Sequence, residues 1–449
     1  MHRSIRLRLL LAVAIAPAAR AQAPMAAAPT VDAPTRRDVV DSIGDRLRRY
    51  YADADTGRLI AEHLERRAKA GAFDTLTNAL RFADVLTREL QVVNGDRHLY
   101  VRYAPDDPGM RPGPEGIRML ARAGGGGREP SPAAIESARR AHWALGRLDV
   151  LPGNVGYMDV RGFASGPGVD DAIVNALRYL DGTDAMIIDL RRNGGGSAES
   201  VNMLLSHFTT ADTVASLRVS NRSGQEAFTR YTLARVPGPR RPDVPLFVLT
   251  SGVTASAGED FAFVAKNLGR AKLVGAVTAG AGRNNAQLDV GHGFGASISF
   301  SRVQDPRTGK EWERVGVQPD VAVDATRALD VAHAMALAAI AEREPAPPRK
   351  QLLALLREAV LAQSEPRAVS PELLASYAGT YASGRIVTLD AGRLLWSPRP
   401  GALPEPLVPL SDSTFAQGAL RIAFERDAGR VARLRLTSPG DVVTFARVP

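Results

Sequence analysis

The segment Thr250-Ser251-Gly252-Val253-Thr254-Ala255-Ser256-Ala257-Gly258-Glu259 runs from the end of an apolar stretch into a helical pattern through small residues. Small residues leave the backbone open to a substrate. A serine at the first turn of a helix meets unpaired N–H groups and the positive end of the helix dipole. This arrangement suits a serine nucleophile with oxyanion stabilisation at hand, while a plain helix cap is the alternative reading of Ser256. A second segment, Asp189-Leu190-Arg191-Arg192-Asn193-Gly194-Gly195-Gly196, also follows an apolar run and precedes a helix. It has neither G-x-G-x-x-G nor a G-K-[ST] ending, which disfavours a nucleotide loop. Its glycines let bare N–H groups face a site, so Gly195 could supply one oxyanion donor and Ala257 the other. A simple strand-to-helix turn is the alternative there.

A serine hydroxyl attacks only when a base takes its proton. None of the five lysines lies three residues after a serine, which excludes an S-x-x-K dyad, and Thr254 stands where a G-x-S-x-G elbow needs glycine. Cysteine is absent, removing disulfides, thiol nucleophiles and thiolate metal sites. The seven histidines show no H-E-x-x-H or H-x-H spacing, so neither a metal nor another cofactor is expected. His98 stands out because Asn94-Gly95-Asp96-Arg97-His98 forms a turn after a helical pattern, although a single loop histidine is more often ordinary surface.

Taken together, these segments resemble the C-terminal-processing (tail-specific) serine protease family, in the branch of tricorn proteases and interphotoreceptor retinoid-binding protein modules. Gly95-Asp96-Arg97-His98-Leu99, Gly153-Asn154-Val155-Gly156-Tyr157, Asp189 to Gly196, Thr254 to Glu259 and Glu313-Arg314-Val315-Gly316-Val317-Gln318-Pro319-Asp320 fall in the family's order. The resemblance implies Ser256 as nucleophile, His98 as base, Glu313 as the acid completing the network, Gly195 and Ala257 as oxyanion donors, and Glu259 as a possible support. A first-turn carboxylate favoured by the helix dipole is an equal reading of Glu259. It also implies an exported serine endopeptidase working through an acyl-enzyme on protein or peptide substrates, with an α/β, crotonase-like (ClpP-related) core. Lysine-type processing proteases carry a T-x-G-K-G segment where this chain reads Thr278-Ala279-Gly280-Ala281-Gly282, and Ala281 is no base. No PDZ-like stretch separates the helical region from the core. The rival reading is a non-proteolytic binder of retinoid-like or lipid ligands on the same fold.

Positioning these residues requires several elements. Apolar residues at three-to-four spacing predict three helices, through Val39 to Tyr51, Leu59 to Leu64 and Leu76 to Leu90, forming an N-terminal bundle over 35–103. Residues 104–145 read as a Pro/Gly-rich linker with a helix, and 146–325 alternate strand and helix patterns as a mainly parallel α/β core. Residues 326–370 read as a helical connection, and 371–449 as a small all-β domain.

With 449 residues, 45% apolar and 23% charged, several folded units are expected. Residues 1–21 pair Arg3, Arg6 and Arg8 with an apolar run and Ala19-Arg20-Ala21, the pattern of a secretory signal, which predicts export and, with no cysteine, a periplasmic location. Arg3, Arg6, Arg8 and Arg20 account for four of the nine net positive charges, and the remainder forms no basic block, so no nucleic-acid partner is expected. No run reaches the length of a membrane span. Oligomeric state has no signature in the sequence.

Overall fold

The structure is a computed structural model that describes residues 29–105 and 131–449. The expected signal segment and residues 106–130 of the expected linker lie outside the described residues. Three capped helices open the described chain: α1 (Ala33–Tyr50), α2 (Ala54–Lys69) and α3 (Ala79–Gln91). Asp32, Asp53 and Asn78 each accept the N–H three residues on, satisfying one donor that the first turn leaves unpaired. Their buried faces, among them Val39, Ile43, Leu47, Ile60, Leu64, Phe82 and Leu86, follow the helical period.

Two sheets follow. The first has the order β11-β8-β7-β4-β3-β2. Its strands are β2 (Leu145–Leu151), β3 (Val155–Val160), β4 (Ala185–Asp189), β7 (Leu246–Thr250), β8 (Lys272–Gly275) and β11 (Val321–Ala322). All neighbours run parallel except β2, which is antiparallel to β3. Strands β3, β4 and β7 are buried along their whole lengths, as parallel strands covered on both faces must be. One covering layer includes α5 (Val169–Tyr179), α6 (Ala198–Ser206) and α7 (Ala257–Asn267); the other includes α8 (Ala328–Arg343) and α9 (Pro347–Ser364). Helix α4 (Pro132–Arg140) precedes β2.

The second sheet is antiparallel and corrects the expected crotonase-like (ClpP-related) core. It joins β1 (Tyr100–Tyr103), β5 (Ala215–Ser220), β6 (Glu226–Tyr231), β9 (Arg283–Gly291) and β10 (Phe294–Gln304). At eleven residues, β10 is long enough to pair with β9, β1 and β5, so the chain after β8 leaves the strand-helix alternation and builds a separate layer. The buried face of that layer, including Leu288, Phe294, Ala296 and Ile298, packs on α1 to α3 in one apolar core. Phe82 meets Phe294 edge-on, with centroids 5.6 Å apart. This shared core sets the loop bearing His98 beside the strands that follow the Ser256 helix.

The C-terminal part begins with α10 (Pro371–Tyr377) and forms two antiparallel sheets of four and five strands around an aromatic core, with Tyr377 stacked on Phe424 at 4.2 Å. No helix among the described residues is long and apolar enough to cross a membrane.

Candidate active site

Strands β3, β4, β7 and β8 run in one direction, so the loops after them emerge at the same edge of the sheet, the usual ligand edge of parallel sheets. Asn193 ties these loops together from a fully buried position. Its Nδ2 donates to Val160 O at 2.9 Å, its Oδ1 accepts Gly195 N–H at 2.9 Å, and its backbone oxygen accepts Ala255 N–H at 2.9 Å. Thr254 adds a second tie, its hydroxyl donating to Leu190 O at 2.7 Å.

Ser256 precedes the first residue of α7 and holds φ 53° and ψ −117°, a conformation that costs a non-glycine residue about 1–3 kcal/mol and persists only where the surroundings enforce it. Glu259, on the first turn, supplies much of that enforcement. Its carboxylate accepts Ser256 N–H at 2.9 Å, the Thr278 hydroxyl at 2.5 Å, Gly280 N–H at 2.6 Å and Ala281 N–H at 2.8 Å. Burial pushes this carboxyl above the usual range, and the four donors pull against it. Glu259 therefore locks the loop after β8 onto the backbone of Ser256, beyond any interaction with the helix dipole. Ala281 gives its N–H to this clamp.

The two expected oxyanion donors differ. Ala257 is the first helical residue, so its N–H has no partner within the helix. Gly195 N–H is given to Asn193 Oδ1, and only a change in that bond would free it. Gly195 nonetheless lies against the serine at φ 117°, and a Cβ added there would sit 2.9 Å from Ser256 Cβ. Gly195→Ala is accordingly expected to cost about 1–3 kcal/mol of stability and to depress turnover. A thermal melt and initial rates check this, and a variant matching the parent in both would contradict the packing described.

His98 is placed by its neighbours in the turn after α3. Its backbone N–H donates to Asp96 Oδ1 at 2.9 Å, while Asp96 Oδ2 accepts the Tyr51 hydroxyl at 2.8 Å. Burial pulls the imidazole below its ordinary 6.5, and the Asp96 charge partly restores it. Its Nδ1 is buried without a hydrogen-bond partner among the described residues. Glu313 lies within electrostatic reach of Asp96. Its Oε2 accepts Gly282 N–H at 2.8 Å, and its Oε1 stands 3.9 Å from Arg283 Nε. Burial, then the Asp96 charge, push Glu313 up to about 7. The Arg283 guanidinium in turn covers the Tyr51 ring at 5.2 Å. Asp96 and Arg283 thus link His98, Tyr51 and Glu313 in one largely buried polar cluster. His98 makes no hydrogen bond to Ser256 or Glu313 among the described residues.

A cavity of about 270 Å³ opens on Ser256, lined also by Gly196, Ala257, Ala281 to Asn284, Trp312 and side chains of β5, β6 and β10. Among the described residues no group of histidine or carboxylate side chains is arranged to hold a metal ion.

Sequence comparison matches residues 154–323 to peptidase family S41 and residues 33–123 to the N-terminal domain of peptidase S41 in eukaryotic IRBP. The chain belongs to peptidase family S41. Its S41 relatives include a carboxyl-terminal-processing protease of Picosynechococcus sp., 30% identical over 39% of this chain and 41% of that protein. CtpB of Bacillus subtilis is 28% identical over 38% of this chain and 34% of that protein. The chain thus spans about two-fifths or less of the length of these curated relatives. Similar solved structures include a Streptococcus agalactiae lipoprotein, with a TM-score of 0.45 and 17% identity over 69% of this chain and 98% of that one. The photosystem II D1 C-terminal processing protease gives 0.40 and 17% over 65% and 93%. The tricorn protease gives 0.41 and 15% over 69% and 37%. The match to peptidase family S41 over residues 154–323 stands in place of the crotonase-like core expected.

In this S41 chain three positioning residues escaped the reading of the sequence. Asp96 stands within Gly95 to Leu99 and Asn193 within Asp189 to Gly196, but only folding reveals what their side chains hold. Tyr51 was read as an apolar helix position, and its hydroxyl instead braces Asp96.

Proposed function

We propose that the chain is an exported serine endopeptidase with Ser256 as nucleophile and His98 as general base. The observation carrying this reading is the strained Ser256 at a helix N-terminus, wedged between the glycine loop and the loop clamped by Glu259. His98 takes the Ser256 Oγ proton as the oxygen attacks a peptide carbonyl carbon. The carbonyl oxygen becomes an oxyanion facing Ala257 N–H and the helix N-terminus, joined by Gly195 N–H if Asn193 releases it. The imidazolium then passes its proton to the departing amine nitrogen. Water, deprotonated by the same imidazole, attacks the acyl ester, and Ser256 leaves with the proton. Substrate binding must bring His98 to Ser256, since catalytic hydrogen bonds are often looser in the free enzyme. Asp96 provides negative charge on the imidazole side, Glu313 is assigned as the acid completing the network, and its Oε1 lacks a hydrogen-bond partner among the described residues. Relatives named as carboxyl-terminal-processing proteases support protein or peptide substrates. The N-terminal signal pattern supports export, with the periplasm as destination.

The pH dependence tests the base. Protonation disables His98 and burial lowers its pKa from the ordinary 6.5, so kcat/KM should fall along an acid limb whose midpoint lies below that value and show no alkaline limb from His98. Glu313 also titrates, near pH 7, so the profile should be repeated in Glu313→Gln, where the lower limb should persist. Full activity of His98→Ala, or loss of the lower limb only in Glu313→Gln, would remove His98 as base.

A further inference from the structure

We propose that Arg283 is a positioning residue that closes onto Glu313 when a peptide fills the cavity beside Ser256. The proposal rests on the peptidase reading above. Four charged residues line that cavity, Glu199, Arg230, Asp260 and Arg283, and the first three are already engaged. Arg230 Nη1 and Nη2 donate to the two Asp260 oxygens at 2.7 and 2.6 Å, and the exposed Glu199 accepts the Ser197 hydroxyl at 2.6 Å. Arg283 differs. Its side chain is only 10% exposed, and its Nε and Nη1 are buried without hydrogen-bond partners among the described residues.

The guanidinium faces a carboxylate that is also unsatisfied. Arg283 Nε stands 3.9 Å from Glu313 Oε1, an oxygen with no hydrogen-bond partner among the described residues. Glu313 Oε2 is pinned by Gly282 N–H at 2.8 Å, so Oε1 is the end free to turn. The wall between cavity and carboxylate is thin, since Gly282 lines the cavity too and a Cβ added there would lie 2.7 Å from Glu313 N. A charge-assisted hydrogen bond needs about 2.7–2.9 Å, so a movement of about 1 Å closes the pair. Peptide in the cavity expels water from beside Arg283, and opposite charges attract more strongly once water no longer screens them. Other charged and titratable groups surround the pair. Burial, Asp96 and Glu311 hold Glu313 up to about 7, and Glu311 is itself paired with Arg302 at 2.7 Å. Tyr51 lies under the Arg283 guanidinium, and Asp53 feels its charge. None of these groups lines the cavity, so filling it acts on Arg283 first. Glu313 is then ionised when peptide is in place, and by reciprocity the ionised form binds peptide more tightly.

An end-blocked peptide of alanine, leucine, phenylalanine and serine carries no charge of its own and serves as the probe. In the parent, kcat/KM reports the free enzyme and kcat the complex, so the limb that Glu313→Gln removes should lie about one pH unit lower in kcat than in kcat/KM. Arg283→Met should bring the two midpoints together, and Arg283→Lys, which keeps the charge, should restore part of the separation. Binding of the same peptide to the Ser256→Ala chain should tighten about 10-fold from about pH 5 to about pH 8, and Arg283→Met should flatten that dependence. The binding measurement needs no turnover. Peptide that binds with this pH dependence but is never cleaved would sink the peptidase reading and leave the Arg283–Glu313 pair standing. Coincident midpoints in the parent, a binding dependence unchanged in Arg283→Met, or no binding at any pH would overturn the proposal. The two parental profiles decide the matter even if Arg283→Met fails to fold.

Discussion

Ser256→Ala is expected to lower peptide-bond hydrolysis by about 10⁴- to 10⁶-fold while leaving the chain folded, because in the proposed mechanism loss of the nucleophile leaves only binding and oxyanion stabilisation. Ser256 is only partly buried, and the bond that anchors it to Glu259 uses its backbone N–H, which alanine retains. The main structural cost is the positive φ of 53°, which serine and alanine bear alike. Digestion of an unstructured protein by parent and variant, with melting curves recorded beside it, measures both quantities. A folded variant that digests at the parental rate would remove Ser256 from the mechanism. No digestion by either chain would favour the apolar-ligand binder named as the rival reading.

Glu259→Gln should be the most damaging conservative change in the site. All four of its partners are donors, so an amide retains one acceptor oxygen and turns an NH2 group toward donors that have no other acceptor in the clamp. Each buried donor left unsatisfied costs about 1–3 kcal/mol, which places the expected loss of folding stability at about 3–5 kcal/mol. Glu259→Ala, lacking even the retained oxygen, should lose at least as much. Turnover should fall about 100-fold or more where the variant remains folded, because a small displacement of a nucleophile is costly. Urea unfolding midpoints and single-turnover rates read the two effects separately. Stability within about 1 kcal/mol of the parent would show that the loop after β8 finds other acceptors.

Much of the local structure was legible before folding was considered. The helical spacing at Val39 to Tyr51 and the apolar run at Ala185 to Leu190 correspond to α1 and β4, because periodic burial leaves a strong trace in sequence. The antiparallel strands β5, β6, β9 and β10 escaped that reading. In β10, Ser297, Ser299 and Ser301 alternate with Ile298 and Phe300, and these serines are buried too. Small polar residues inside a sheet blur the two-residue alternation on which strand recognition depends.

The site divides in the same way. Motif order alone singled out Ser256, His98 and Glu313, because each sits in a short local pattern. It could not tell that Gly195 N–H is held by Asn193, that Asp96 faces the His98 backbone, or that Glu259 clamps a loop about twenty residues further along the chain.

By itself the sequence determined the peptidase family resemblance, the small-residue approach to Ser256 and the absence of cysteine, since these reside in residue types and short spacings. Only the tertiary structure decided the second sheet, the polar cluster around Asp96 and the Glu259 clamp on the loop after β8. Those features arise where distant segments bury one another, and desolvation and hydrogen-bond satisfaction depend on every neighbour in space.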